Sequence, residues 1–237
     1  NQNDTNQQAT PNIGTLRQIF AAPVSGVYAY SDASTTHFRY IERSTGHMYE
    51  STAEGSGSSR LTNTTIPKIQ NAVFADTNTV YLQYFDQSTQ SIQTMRGEYS
   101  DTIDSEEAVL EFGTLNTETL PPTISSITPS PTYSNIFTLQ KSISGIQGII
   151  SKNRGESAQV AVESPLKEFN VSWPSANTIA LTMKGSAYSN GMLMLLNTVS
   201  KTQTMLLQNK IGLSTLTNPT AKKVLYSNWT GTGLSLA

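Results

Sequence analysis

Four carboxylates fall close together at Asp101, Asp104, Glu106 and Glu107, the only acidic cluster in the chain. An oxygen-rich loop of this kind can hold Ca²⁺. The spacing, however, lacks the Asp-x-Asp-x-Asp-Gly run whose glycine makes the sharp turn of such a site. The cluster reads as a solvated acidic loop. The two histidines, His37 and His47, fall on successive predicted strands, where a hairpin would bring them near one another. A metal centre needs a third or fourth ligand, and none is marked, so both read as ordinary strand residues. There is no cysteine, which removes disulfides, thiolate nucleophiles and Cys-bound metal. No Gly-x-Ser-x-Gly elbow and no glycine-rich phosphate loop is present, so no catalytic set, metal or cofactor is assigned.

The elements that would position any site come from a repeat. Leu120–Leu139 holds proline, the alternating pair Ile124 and Ile127, a Ser130-Pro131 turn, and a second apolar run from Ile136 to Leu139. Alternation places side chains on opposite faces of a strand, and proline cannot donate inside a ladder, so the phrase reads as two strands joined by a tight turn. It recurs at Pro23–Tyr40, Pro67–Tyr84, Pro165–Met183 and Pro219–Leu236. Between phrases there is room for two more strands. In the first unit these are His47–Ser51 and Ser59–Thr62; in the second, Ser91–Met95 and Ala108–Phe112. In the third they are Ile146–Ser151 and Ala158–Glu163, and in the fourth Met192–Asn197 and Gln203–Gln208. A strand-only repeat of roughly 40–55 residues predicts an all-β fold, a β-propeller of four-stranded antiparallel blades.

The proline, strand, turn and strand resemble the WD40-like repeat of the TolB type, whose signature is a Ser-Pro-Asp-Gly turn. The best matches are Pro129-Ser130-Pro131-Thr132 and Ser172-Trp173-Pro174-Ser175. Ala29-Tyr30-Ser31-Asp32, Phe74-Ala75-Asp76-Thr77 and Asn228-Trp229-Thr230-Gly231 occupy the same step, and no copy keeps the full signature. The resemblance implies fold more than activity, because propellers host unrelated functions. Trp173 and Trp229 stand at equivalent places in consecutive repeats, and repetition in register reads as packing between adjacent blades.

Apolar residues make up 36% of the chain and charged residues only 14%. Low charge with abundant threonine and serine suits an antiparallel protein whose solvent faces are hydroxyl-rich. A net charge of −2 gives no drive towards nucleic acid. No apolar run approaches a membrane-spanning helix.

In chain order, residues 1–15 are polar and read as a disordered linker, and residues 16–237 as the propeller. Leu16–Phe20 precedes Pro23 as Arg60–Thr62 precedes Pro67, so it reads as a closing strand for the final blade. Complete blades are expected at about 24–62, 69–112, 123–163 and 168–208, with a partial fifth at 223–237. The expectation is that the chain is part of a larger ring; a closed ring of four or five irregular blades is the alternative. Arg96–Glu107, Lys184–Gly191 and Asn209–Thr220 read as lengthened connections.

In a four-stranded antiparallel blade, the second-to-third hairpin and the crossover emerge at one end. That end would carry Arg43, Lys141, Lys184 and Tyr188, mobile donors and one aromatic plane, and these are the candidate ligand-binding residues. The resulting expectation is a non-enzymatic scaffold or binding module of the cell envelope or surface, with a protein or glycan partner. An anchor upstream of residue 1 would fit this, and a cytoplasmic site stays open. The alternative is the propeller part of a carbohydrate-active or peptidase enzyme whose catalytic residues lie beyond residue 237.

Overall fold

The computed structural model describes residues 18–53, 57–101, 112–186, 189–220, 222–231 and 233–237. Their regular structure is strand throughout, and it falls into four four-stranded sheets and one three-stranded sheet. The first sheet holds β1 (Val24–Ser31), β2 (Thr36–Glu42), β3 (Met48–Thr52) and β4 (Ser58–Arg60); the second holds β5 (Ile69–Phe74), β6 (Thr79–Asp86), β7 (Ser91–Ser100) and β8 (Thr114–Thr119). The third holds β9 (Ile124–Pro129), β10 (Asn135–Ser142), β11 (Gly145–Lys152) and β12 (Gln159–Ser164); the fourth holds β13 (Phe169–Ser175), β14 (Thr178–Met183), β15 (Gly191–Asn197) and β16 (Gln203–Lys210). The last holds β17 (Thr215–Thr217), β18 (Val224–Trp229) and β19 (Leu234–Leu236). Within each four-stranded sheet the strands lie side by side in sequence order and pair antiparallel, so each is one meander.

Side-chain acceptors make the turns between the first two strands of the first three blades. Asp32 Oδ1 accepts from the N–H groups of Ser34 and Thr35, and Asp76 Oδ1 from those of Asn78 and Thr79. In the third blade the buried Ser130 hydroxyl does the same for Ser134 and Asn135. Short polar side chains that mimic a backbone turn thus stand where the Ser-Pro-Asp-Gly signature has drifted.

The core lies between blades rather than inside any one of them. Ile41 and Met48 of the first blade pack with Ile69, Phe74, Val80 and Leu82 of the second. Tyr81 and Ala75 of the second meet Ile124, Ile127 and Ile136 of the third. Phe137, Leu139, Ile146 and Val162 of the third meet Phe169, Trp173, Ile179 and Leu181 of the fourth. Each fully buried aliphatic or aromatic side chain contributes about 1.5–3 kcal/mol, so the blades stabilise one another. The first strands β1, β5, β9 and β13 adjoin in succession, each blade's innermost strand against the next. Among the described residues the row of sheets does not close into a ring.

Four details depart from the sequence reading. The outermost strand of the second blade is Thr114–Thr119; Phe112 lies outside any strand, and residues 108–111 lie outside the described residues. A threonine-rich strand needs only one apolar residue on its covered face, and Leu115, 4% exposed, supplies it. Arg96–Ser100 is not part of a loop but continues β7, paired with β8 throughout and with β6 as far as Glu98. The connection at 209–220 contains β17, which pairs with β18. Gln18–Phe20 forms no strand, and Leu16 and Arg17 lie outside the described residues. Phe20 instead sets its ring 4.6 Å from that of Tyr40 and 5.4 Å from that of Tyr49. The linker at residues 1–15 also lies outside the described residues.

Candidate functional site

Register places one residue of each blade at the same step. The residue opposite the start of the first strand is Glu42, Tyr84, Gln140 or Met183, facing Val24, Ile69, Ile124 and Phe169 respectively. The residue immediately after it is Arg43 in the first blade, Phe85 in the second, Lys141 in the third and Lys184 in the fourth. In three of these blades its N–H donates to the crossover carbonyl: Arg43 to Pro23 at 2.9 Å, Lys141 to Thr123 at 2.8 Å and Lys184 to Glu168 at 3.1 Å. The fold therefore sets three cations and one phenylalanine around one end of the stacked inner strands.

A cleft of about 560 Å³ opens at that end, where the second, third and fourth blades meet. Lys141 and Lys184 both line it, joined by Lys167 and Glu168 from the crossover into β13. Phe85 and its cross-strand partner Ile92, each 37% exposed, form an apolar stretch of the wall. Gln70, Asn71, Gln83 and Gln90 add amides. Arg43 stands apart, in an adjoining depression of about 370 Å³ with Pro23, Ser44 and Lys68; Gln70 borders both spaces. Tyr188 lies outside the described residues.

Lys68, Lys167, Glu168 and Phe85 join this end although the strand pattern does not single them out. A signal for the lysines was available: Pro67-Lys68, Pro165-Leu166-Lys167 and Pro219-Thr220-Ala221-Lys222 each place a lysine just after a leading proline. Phe85 carried no such mark, because an exposed aromatic on a strand looks like any alternating core residue until register is known.

At the opposite end of the first blade lies a polar network. Glu50 accepts from Tyr30 Oη at 2.5 Å and from Arg39 Nε at 2.6 Å. Arg39 also reaches across to the second blade, donating to Thr77 O and Asn78 Oδ1. His37 Nε2 lies 3.0 Å from Asp32 Oδ2, while His47 is buried outside the strand itself, its Nε2 3.2 Å from Thr65 Oγ1. Among the described residues no three His, Cys, Asp or Glu side chains are grouped to hold a metal ion. Of the acidic cluster, Asp101 is described, whereas Asp104, Glu106 and Glu107 lie outside the described residues. Among the described residues no helix is long and apolar enough to cross a membrane.

The two tryptophans part company. Trp173 is 7% exposed, inside the core between the third and fourth blades. Trp229 is 46% exposed and borders an apolar groove with Ile211, Leu213 and Asn170. The expectation of equal packing therefore holds for one repeat and fails for the next, where the three-stranded last sheet does not reproduce the blade.

No protein-family model matches the sequence, and no curated protein matches it. Among solved structures the chain is similar to tricorn protease, with a TM-score of 0.50, 10% identity, 91% of this chain covered and 20% of that one. It is also similar to an oligogalacturonate lyase in complex with manganese, with a TM-score of 0.51, 9% identity, 81% of this chain covered and 55% of that one. Both carry β-propeller domains. The fold is that of a β-propeller. The chain spans a fifth of the protease's length and just over half of the lyase's. At 10% and 9% identity the likeness speaks for the propeller architecture alone.

Proposed function

We propose that this propeller is a non-enzymatic binding module of the cell envelope or surface, of the TolB-like WD40 type, holding a protein or glycan partner at the cleft between its second, third and fourth blades. The observation that carries this reading is the convergence of Lys141, Lys167 and Lys184 on one concave end of the stack. Concave sites with a few convergent polar groups are the usual places for ligands, and loops on a rigid sheet scaffold tolerate the variation that partner choice requires. The alternative remains the propeller part of a carbohydrate-active or peptidase enzyme.

Site-specific photo-crosslinking in the cells that make the protein tests this. Crosslinkers at Ser91 and Ser125, on the cleft wall, should trap one common partner, and a crosslinker at Asn78, at the far end, should not. Lys141→Ala combined with Lys184→Ala should lower the yield while leaving the melting temperature within a degree or so, because both side chains are exposed. Equal trapping from both ends, or trapping from Asn78 alone, overturns the assignment of the face. A trapped small substrate turned over by the full-length protein points to the enzyme instead.

A further inference from the structure

We infer that the ligand taken by this cleft is an acidic polypeptide segment, one that sets carboxylates beside an apolar side chain; this rests on the binding reading above and narrows it to one chemistry. The cations come first. Arg43, Lys68, Lys141, Lys167 and Lys184 all occupy the same end of the propeller, and all are exposed. The ion pairs among the described residues are made by arginine and histidine, never by these lysines. Among the described residues Glu168 is the one carboxylate lining the cleft. Two further carboxylates stand next to rim positions, Glu42 before Arg43 and Asp86 after Phe85, each held by neutral donors of its own turn, so the cations still outnumber the acids at this end. The end of the stack thus presents unpaired positive charge spread over several blades, which complements an extended chain of negative charges.

The polar groups decide between a peptide and a sugar. Recognition of sugar hydroxyls needs amides and hydroxyls held free and in fixed directions. Here most of them are already engaged. Asn71 Nδ2 donates to Gln83 Oε1, Gln83 Nε2 to Thr94 Oγ1, Gln90 Nε2 to Gln87 O, and Ser125 Oγ to Leu139 O. What remains, besides the Gln70 amide, is lysine, a point charge on a flexible stem that binds a carboxylate without demanding one geometry. Phe85 replaces the cation at the second blade's step of the rim and lies beside Ile92. That pair offers a contact for an aliphatic or aromatic side chain, so the rim reads charge with one apolar residue among it.

The test uses the purified chain, residues 1–237, and three probes. They are a short fluorescent peptide rich in Glu with a central Leu, its twin with Gln for every Glu, and an oligogalacturonate of matching charge. The Glu peptide should bind, and binding should weaken as salt rises, since exposed charges are screened beyond about 8 Å at physiological ionic strength. The Gln twin should bind at least about tenfold more weakly. Lys141→Gln, Lys167→Gln and Lys184→Gln together should cost about tenfold with an unchanged melting temperature, and arginine at the same positions should restore affinity. Phe85→Ser should weaken the Leu-containing peptide but not a version with Ala in its place. Tighter binding of the oligogalacturonate than of the Glu peptide overturns the peptide assignment in favour of an acidic glycan. Binding of the Glu peptide that is indifferent to the three substitutions, or no binding of either anion, overturns the inference altogether. The crosslinking result stands or falls separately, because it asks only whether this face is occupied.

Discussion

Gly26 in β1 lies so close to Ala72 in β5 that a Cβ built on Gly26 would sit 1.9 Å from the Ala72 carbonyl oxygen. These are the innermost strands of the first two blades, and the missing side chain lets their backbones approach.

Gly26→Ala is therefore expected to force the first two blades apart. No flexible side-chain end can swing aside here, because the obstructing atom is backbone. A loss of about 1–3 kcal/mol is expected from such overpacking, read as a lower urea midpoint at unchanged slope. Gly233→Ala, where a new Cβ meets nothing within 4 Å, should change little.

Glu50 sets an acid limb to the stability curve. Burial pushes its carboxyl up, but the bonds from Tyr30 and Arg39, together with the Arg39 charge, outweigh this and hold it below the ordinary glutamate value. A depressed folded-state value means stability that is present above the unfolded value and lost as pH falls through the folded one. Urea midpoints should thus decline below about pH 4, and Glu50→Gln should flatten that decline. At neutral pH the same variant should cost about 1–3 kcal/mol, since Arg39 and Tyr30 lose a charged acceptor.

The alkaline side carries a second signature. Burial first, and the bond to Glu50 second, push Tyr30 up to about 12. Burial likewise pushes Tyr81 up to about 12, its hydroxyl donating to Asn153 O in the next blade. Because the unfolded chain ionises first, stability should fall as pH climbs from about 10. Ultraviolet titration of the phenolate band should show late-titrating tyrosines in the folded protein and none after denaturation.

The two tryptophans should respond in opposite ways. Trp173→Ala, in the core between blades, should cost about 3–5 kcal/mol. Trp173→Phe should recover much of that, because the indole N–H is buried without a hydrogen-bond partner in the protein. Trp229→Ala should be nearly neutral, given its 46% exposure. Acrylamide should quench the fluorescence of a Trp173→Phe variant, which keeps Trp229, far more than that of a Trp229→Phe variant.

Asp76 ties two blades. It caps its own turn through Asn78 and Thr79 and accepts from Asn153 Nδ2 of the third blade at 2.6 Å. Asp76→Ala should cost about 1–2 kcal/mol, near the upper end of what a capping acceptor contributes. A double-mutant cycle with Asn153→Ala should return a positive coupling energy, whereas pairing Asp32→Ala with Asn153→Ala should be additive.

The strands were legible in the sequence because their evidence is local. Short β-rich apolar runs bounded by turn residues are written into the chain, so Thr79–Asp86 and Thr178–Met183, which bury both faces, could be bounded from the residues alone. The same holds for the turns at Asp32, Asp76 and Ser130, whose side chains hydrogen-bond within a few residues. The repeat then implied the blade, and strand direction implied that Lys141 and Lys184 share an end. Tertiary structure decided what depends on contacts between blades. It placed the outer strand at Thr114–Thr119, because that strand is selected by pairing with β7 rather than by its own hydrophobicity. It separated Trp229 from Trp173, which the repeat alone made equivalent. It also brought Lys167 and Phe85 to the cleft, residues from different blades whose proximity follows only from how the sheets stack. Period and turn chemistry act over a few residues, whereas a site shared by three blades is made by packing between residues far apart in sequence.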